Sequence, residues 1–462
     1  MEAGQHRRGT NSMSFRSNLI KARSHITFLM ALGLGLTLVI FLERTIDARK
    51  DPSTETAVTP PVELQSPLAA FDDVTPLPLA VTGTSAKDDL AFAQIAWKYF
   101  ENNTHPETGL VNSADRYPST TMWETGSYFI AVISANLLGL IDKEEAEARI
   151  SLALKTLTQM RLFDDILPNK AYNVQTGELV DYGNRPVERG LGWSALDIAR
   201  MVGALGQVQN SYPDLAPEVA VLLEKWDLAQ MVTDGQLIGG NIADDKLRRD
   251  QEGRVGYEQY AAKAMMLFGF DMFNAYRAED HLMVKDVLGQ PIPVDTRLHR
   301  NVTPAFTVSE PYIFDGLEFG FDARSHRFAT AIYKAQEARY NETGVLTAVS
   351  ESHLDEAPYF VYSSIWGGGE PWAVMTFKGD RLDSKRTVTT KVAFAFDALF
   401  GTDYSRELVA AIAPLGDPER GWPEGIYEID GATNASITTN TNATVLAALA
   451  FRVHGPVIHS EP

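Results

Sequence analysis

Residues 128–141 read YFIAVISANLLGLI, a run with no charge on any face. If this run is helical, no side of the helix can face water, so it must be buried all round. Segments 123–140 as a whole, 193–205, 257–270 (with AAKAMMLFGF at 261–270), 388–400 and 443–451 are apolar nearly all round and call for the same burial. Between these lie segments of a second kind: 86–101, 144–160, 215–230, 325–340 and 404–413. In 144–160, Ile150, Leu154, Leu157 and Met160 form a stripe at helical spacing, while Lys143, Glu144, Glu147 and Arg149 take the opposite side.

Amphipathic and wholly apolar segments alternate along the chain. A ring of inner helices wrapped by a ring of outer helices requires that order, and the expected fold is an all-α toroid, (α/α)6. Five helices of each kind are legible. A sixth inner helix is expected within 359–377, where Gly367, Gly368 and Gly369 interrupt an aromatic run. The stretch 272–322, with Pro291, Pro293, Pro304 and Pro311, reads as an irregular insertion or a short β-containing excursion. An α-solenoid is the structural rival, but no fixed repeat period is present. A bundle would not need so many fully apolar helices.

The N-terminus has a different character. Ile26 to Leu42, ITFLMALGLGLTLVIFL, is uncharged and at the short end of a membrane-spanning helix. Arg7, Arg8, Arg16, Lys21 and Arg23 precede it, so the positive-inside bias puts residues 1–25 in the cytoplasm and the rest outside. A cleaved signal peptide is the competing reading, although no small-x-small site follows the apolar run. Residues 43–82 read as a linker, rich in Pro, Thr and Val from residue 51, and 83–458 as the toroid. The expectation is a single-pass bacterial inner-membrane protein with its domain in the periplasm.

With 41 Lys and Arg against 60 Asp and Glu, the net charge is −19, which argues against a nucleic-acid partner. The chain has no cysteine, so disulfides and thiolate chemistry are excluded. Nine scattered His without ligand spacing speak against a metal centre, and no Gly-x-Ser-x-Gly elbow is present. No cofactor is expected.

In a toroid all inner helices run the same way, so their N-termini share one mouth. Trp123 and Glu124 open the first; Asp181, Arg189 and Trp193 lead into the second; Arg254, Tyr257 and Glu258 open the third. Residues 386–391 open the fourth, and Thr438 to Asn442, with Asn440, open the last. Each has a bland reading as an N-cap, a dipole-favoured acid or packing. Their joint occurrence at five apolar helices favours a site. Three loops add to it: Glu310 and Tyr312 in SEPY, where proline pushes Glu310 toward extended backbone; Trp366, Glu370 and Trp372; and Trp422 and Glu424. Aromatic faces beside carboxylates suit sugar rings. Glu124 and Glu258, both acids on inner-helix first turns, are the candidate catalytic pair.

The motifs WETGSYF, LLGLID, LPNKAYN, GWSALDIARM, GYEQYAAKAMMLFG, SEPYIFDGLEFG and GWPEGIYEIDG, with the closing TNTNATVLAAL, together resemble the bacterial domain of unknown function 3131 over roughly 85–455. That family is similar to the glucoamylase-like six-hairpin glycosidases, including β-1,2-glucan-acting relatives. The resemblance implies an inverting glycoside hydrolase or transglycosylase acting on a β-glucan or related bacterial polysaccharide; a tethered domain at the envelope has polysaccharide synthesis machinery as a candidate partner. Two readings of other kinds stay open: a non-catalytic glycan-binding or polysaccharide-assembly subunit, and a scaffold that binds another protein's helix or peptide.

Overall fold

The computed structural model describes residues 66–299 and 303–458. Twelve helices follow one another in outer–inner order: α1 (Asp89–Asn103), α2 (Met122–Leu137), α3 (Lys143–Gln159), α4 (Ala195–Ser211), α5 (Ala216–Lys225), α6 (Tyr257–Met266), α7 (Phe273–Tyr276), α8 (Glu310–Phe314), α9 (Ala323–Thr343), α10 (Thr390–Phe400), α11 (Asp403–Ile412) and α12 (Thr439–His454). The even-numbered helices pack each on the next, and α12 closes the ring on α2. Every residue of α10 is buried, as the absence of a polar face demands. Fully buried side chains such as Phe394 and Leu446 each stabilise the ring by roughly 1.5–3 kcal/mol.

The sixth inner helix is α8, not a segment of 359–377. It is one α-turn continued as a π-turn over Asp315–Phe319, ended by Gly320 in the left-handed region. Its brevity hid it inside the proline-rich stretch. Glu310 is its first residue, helical rather than extended; Pro311 fits the first turn, where its missing N–H would have had no partner anyway.

The linker reading also changes at its C-terminal end. Residues 66–82 pack on the barrel: the Phe71 ring lies tilted against Phe328 at 4.4 Å, and Ala80 N–H donates to the Leu399 carbonyl at 2.8 Å. Residues 1–25 and the apolar segment 26–42 lie outside the described residues. Among the described residues no helix is long and apolar enough to cross a membrane.

Connections from inner to outer helices are short, at 138–142, 212–215, 267–272, 320–322 and 401–402, whereas those from outer to inner are long. All long connections therefore reach the N-terminal side of the inner ring. They carry the strands: hairpins β1 (Gln236–Ala243) with β2 (Lys246–Gln251) and β3 (Leu282–Val287) with β4 (Gln290–Asp295); a sheet of β5 (Glu351–His353), β6 (Phe360–Ser363) and β7 (Val374–Met375); and a sheet of β8 (Thr387–Thr389), β9 (Pro423–Tyr427) and β10 (Thr433–Ile437). The segment expected as a helix at 359–377 belongs to these strands, because β6 pairs with β5 and β7.

Candidate active site

Each inner helix brings one polar residue in its first turn: Glu124 from α2, Asp197 from α4, Tyr257 from α6, Glu310 from α8, Lys391 from α10 and Asn440 from α12. Strands above add Glu351 and His353 from β5 and Glu424 from β9. Lys391 Nζ meets Glu310 Oε2, and Asn440 Nδ2 donates to Glu310 Oε1 at 2.9 Å. Trp123 Nε1 donates to Asn440 Oδ1 at 3.4 Å, and Thr441 Oγ1 donates to Glu424 Oε2 at 2.6 Å. Glu424 Oε1 and Tyr257 Oη are buried atoms without a hydrogen-bond partner.

The charges are shared across the mouth. Burial pushes Asp197 up to about 8, and the neighbouring carboxylates of Glu252 and Glu124 push the same way. Burial takes Glu424 to about 7, with Lys391 pulling part of the way back. Glu351 is pushed well above the usual carboxylate range by burial and then by Glu310. Glu124 is raised by burial, against which the Thr121 hydroxyl and backbone N–H groups favour its ionised form. Thr121 caps α2 in extended backbone, and its hydroxyl donates a hydrogen bond to Glu124 three residues on. Burial, with Lys391 beside it, holds the His353 imidazole down at about 4. Asp197, Tyr257, Glu351 and His353 keep some surface open to solvent although protein crowds round them. These four mark the side from which the otherwise buried cluster meets solvent.

Below the mouth, Arg200 of α4 lies inside the barrel against Trp123 and Phe314, at 4.8 and 4.1 Å from their rings, and pairs with Glu318 at 3.0 Å. This buried cation and its acid form a polar floor.

Of the residues expected at the mouth, Trp123, Glu124, Tyr257, Glu310, Glu424 and Asn440 share this cluster. Glu258 does not: its carboxylate is taken by Arg297 Nη2 at 2.5 Å and Gln251 Nε2 at 2.8 Å, with Asp295 on the same guanidinium. Burial raises it and Arg297 pulls it back. Arg254 sits alongside, donating to the Leu298 carbonyl. Asp181 binds Arg185, and Arg189 binds Asp164, both near solvent. Glu370 is exposed and paired with Arg381, on a hairpin joining Trp366–Gly367 to Glu370–Pro371. Trp372 is half-buried beneath Arg339. Three aromatics are interior: Trp193 under β1, donating to the Ile238 carbonyl; Trp422 between Phe92 and Phe394; and Tyr312 against Phe328. Asn442 accepts from Trp422 N–H at 2.8 Å and so anchors that loop.

Sequence reasoning missed Asp197, Glu351, His353 and Arg200, and named Lys391 only as the end of a helix-opening stretch. Asp197 was within reach, because it is the third residue of α4 as Glu124 is of α2. Glu351 carried no helical signal.

One consequence concerns stability. Asp197 is protonated when folded and ionised when unfolded from the ordinary carboxylate range up to about pH 8. The folded chain holds the extra proton, so this contribution is complete at low pH and is lost as pH rises through that window. Thermal melts from pH 5 to 8 should show a falling midpoint, and Asp197→Asn should make the fall shallower. An unchanged slope would place the Asp197 proton elsewhere.

A closed inner ring flanked by outer helices, with all long loops at one mouth, is the architecture of the glucoamylase-like toroids. The chain belongs to the family described as protein of unknown function DUF3131, whose profile matches residues 91–455. A candidate glucoamylase from Bacteroides uniformis superposes with a TM-score of 0.58 at 13% identity, covering 81% of this chain and 94% of its own. An endo-β-1,2-glucanase from Chitinophaga pinensis, solved with sophorotriose and glucose, gives 0.57 at 10% identity over 81% and 94%. An endo-β-1,2-glucanase from Talaromyces funiculosus, solved with sophorose, gives 0.54 at 12% over 80% and 84%. At these identities the likeness is one of fold. Among curated proteins none matches.

Proposed function

We propose that this protein is an inverting glycoside hydrolase or transglycosylase, acting on a β-glucan or related bacterial polysaccharide at the mouth of the toroid. One observation carries the reading: the mouth of the ring collects acids from different inner helices and strands, Glu124, Asp197, Glu310, Glu351 and Glu424, around Lys391 and Asn440. Glycosidic cleavage needs two carboxyls at one place, one protonated and one ionised. Glu351, raised by burial and Glu310, is the general acid. Glu124, raised by burial and pulled part of the way back by the Thr121 hydroxyl and backbone N–H groups, is the base.

As the C1–O bond breaks, the Glu351 proton goes to the leaving oxygen, while water loses a proton to Glu124 and its oxygen bonds C1 from the opposite face. Trp123 offers a ring face for a sugar. Glu258, the other acid expected from the sequence, serves instead to hold Arg297. The β-1,2-glucanases among the structural neighbours make β-1,2-glucans the first substrates to try.

The test is incubation of the purified domain with a panel of β-linked glucans and bacterial polysaccharides, following reducing ends and the product anomer by NMR. Release of inverted sugar is expected. Glycan binding without turnover on the whole panel would replace this reading with that of a binding or assembly subunit.

The basic segment 1–25 and apolar 26–42 support a cytoplasmic N-terminus and a single anchor, with the toroid in the periplasm beside polysaccharide synthesis machinery. Protease digestion of the toroid in spheroplasts, but not in intact cells, is the expected outcome. Protection in both would refute it.

A further inference from the structure

The strands above the mouth have two unlike faces. In the β5–β6 ladder Glu351 lies opposite Tyr362 and His353 opposite Phe360, while Met375 of β7 continues the row beside Tyr362. Alternation along a strand puts these five on one face. The other face, with Ser352, Leu354, Val361 and Ser363, is wholly buried, and Leu354 and Val361 join Val374 and Tyr427 in an apolar cluster there. On the first face Glu351, His353, Phe360 and Tyr362 are only half-buried. Hydrogen bonds fix it over the mouth. Thr389 N–H, two residues before Lys391, donates to the Ala348 carbonyl at 2.9 Å; Val349 N–H donates to Gln336 Oε1 at 2.8 Å, and Gln336 Nε2 donates to Ser309 next to Glu310. Rings run outward from there. Tyr257, against Trp123 at 5.7 Å, packs with Tyr362 on the cluster of Phe306, Val308, Ala373 and Met375. Tyr362 stacks on Phe306 at 4.3 Å and meets Phe360 edge-on at 5.2 Å, and Phe360 meets His353 edge-on at 5.2 Å. The row ends at the exposed turn 355–359, where Tyr359 leaves 63% of its surface in water. Seating the sheet does not require this row, because the buried back face already does so.

We propose that this face is a glycan-binding subsite, in which Phe360 and His353 hold the sugar that follows the one beside Glu351, so that the ligand is a β-linked glucan chain running out over β5 and β6. Sugar rings offer apolar C–H faces to an aromatic surface and hydroxyl groups at their rims. Phe360 supplies the surface, and the His353 imidazole, which burial keeps neutral, supplies a donor and an acceptor for the rim. His353 lies about 7 Å farther along β5 than Glu351, the rise of two strand residues, which sets a second sugar beside the first. A partner helix or peptide would need an unbroken apolar groove, and Glu351 and His353 interrupt this one. The binding stands by itself, but the direction of the chain rests on the glycosidase reading above: with Glu351 protonating the leaving oxygen, Phe360 holds the departing part.

The probe is a graded set of linear β-linked gluco-oligosaccharides, from the disaccharide upward, titrated calorimetrically into the full chain carrying Glu124→Gln to suppress turnover. Affinity should rise as the chain lengthens and level off once it covers Phe360. Phe360→Ala should flatten that rise and weaken the longest member by about tenfold, one ring's share of a stacked contact. Phe360→Leu keeps apolar bulk for the fold but has no flat face; it should do the same, and it decides the matter if the Ala variant folds badly. Phe360→Tyr, which keeps the face, should restore the length profile. Equal weakening at every length, or none, overturns the proposal, and so does a set of which no member binds. In turnover the loss should enter kcat/KM on long chains through KM. If the chain binds in this pattern and is never cut, the glycosidase reading fails and the subsite stands. If it is cut and Phe360→Leu leaves the length dependence untouched, the subsite falls alone.

Discussion

Glu351→Gln is expected to lower kcat on the best polymeric β-glucan by about a hundred- to ten-thousandfold, the usual share of a general acid. The fold should survive, because Gln is close in shape to the protonated carboxyl that burial and Glu310 favour. Above neutral pH the variant should melt no lower than the wild type, since the cost of ionising a crowded carboxyl is gone. The leaving group separates acid from base. An aryl glycoside whose phenolate departs unaided needs no proton, so Glu351→Gln should retain most of its activity there. Glu124→Gln should lose activity on both substrates, because water must still be deprotonated. Glu258→Gln leaves Arg297 bound to Asp295 at 2.6 Å and should stay within about tenfold of wild type, well short of a general acid's share. Equal losses for Glu351→Gln on glucan and aryl glycoside would remove it from the acid's role.

The ring is legible in the sequence because burial on all sides leaves a plain trace. Residues 128–141 have no charge, and α2 is buried along nearly its whole length. The mouth was legible for a topological reason: parallel inner helices must collect their first turns at one end. Two things were not legible. Helix α8 is only one α-turn and a π-turn, too short to print a period, and Pro311 in its first turn looks like a breaker. Its loss from the reading pushed the sixth helix into 359–377, where glycines at 367–369 serve a hairpin instead. The second is pairwise. Glu258 and Tyr257 are adjacent in sequence, yet successive helical positions face different ways, so Tyr257 meets the Glu310 cluster and Glu258 meets Arg297. Arg297 lies far along a loop that carries no pattern, and only folding brings it there.

Glu318→Ala should destabilise the domain by about 3–5 kcal/mol, the usual cost of leaving a buried ion without its partner. Arg200 and Glu318 are each 2% exposed, and the guanidinium lies among the rings of Trp123, Phe314 and Tyr260. Tyr260 bridges the pair, accepting from Arg200 Nη1 at 2.6 Å and donating to Glu318. Without the carboxylate, a charge that cannot reach water keeps only the Tyr260 and Ser127 oxygens. Arg200→Met/Glu318→Leu should recover most of the loss, because removing both ions ends the desolvation that each imposes. Urea melts of the single and double variants measure the difference, and single-variant losses below about 1 kcal/mol would mean that water reaches this floor. The recovered double variant should still be a poor enzyme. Its Met side chain can no longer donate to Ser127, whose hydroxyl donates to the Trp123 carbonyl, and no cation supports from below the Trp123 ring that donates to Asn440. Stability regained with activity still missing would assign this ion pair to holding the mouth in shape, since an apolar floor closes the barrel equally well but leaves Asn440 free to turn away from Glu310.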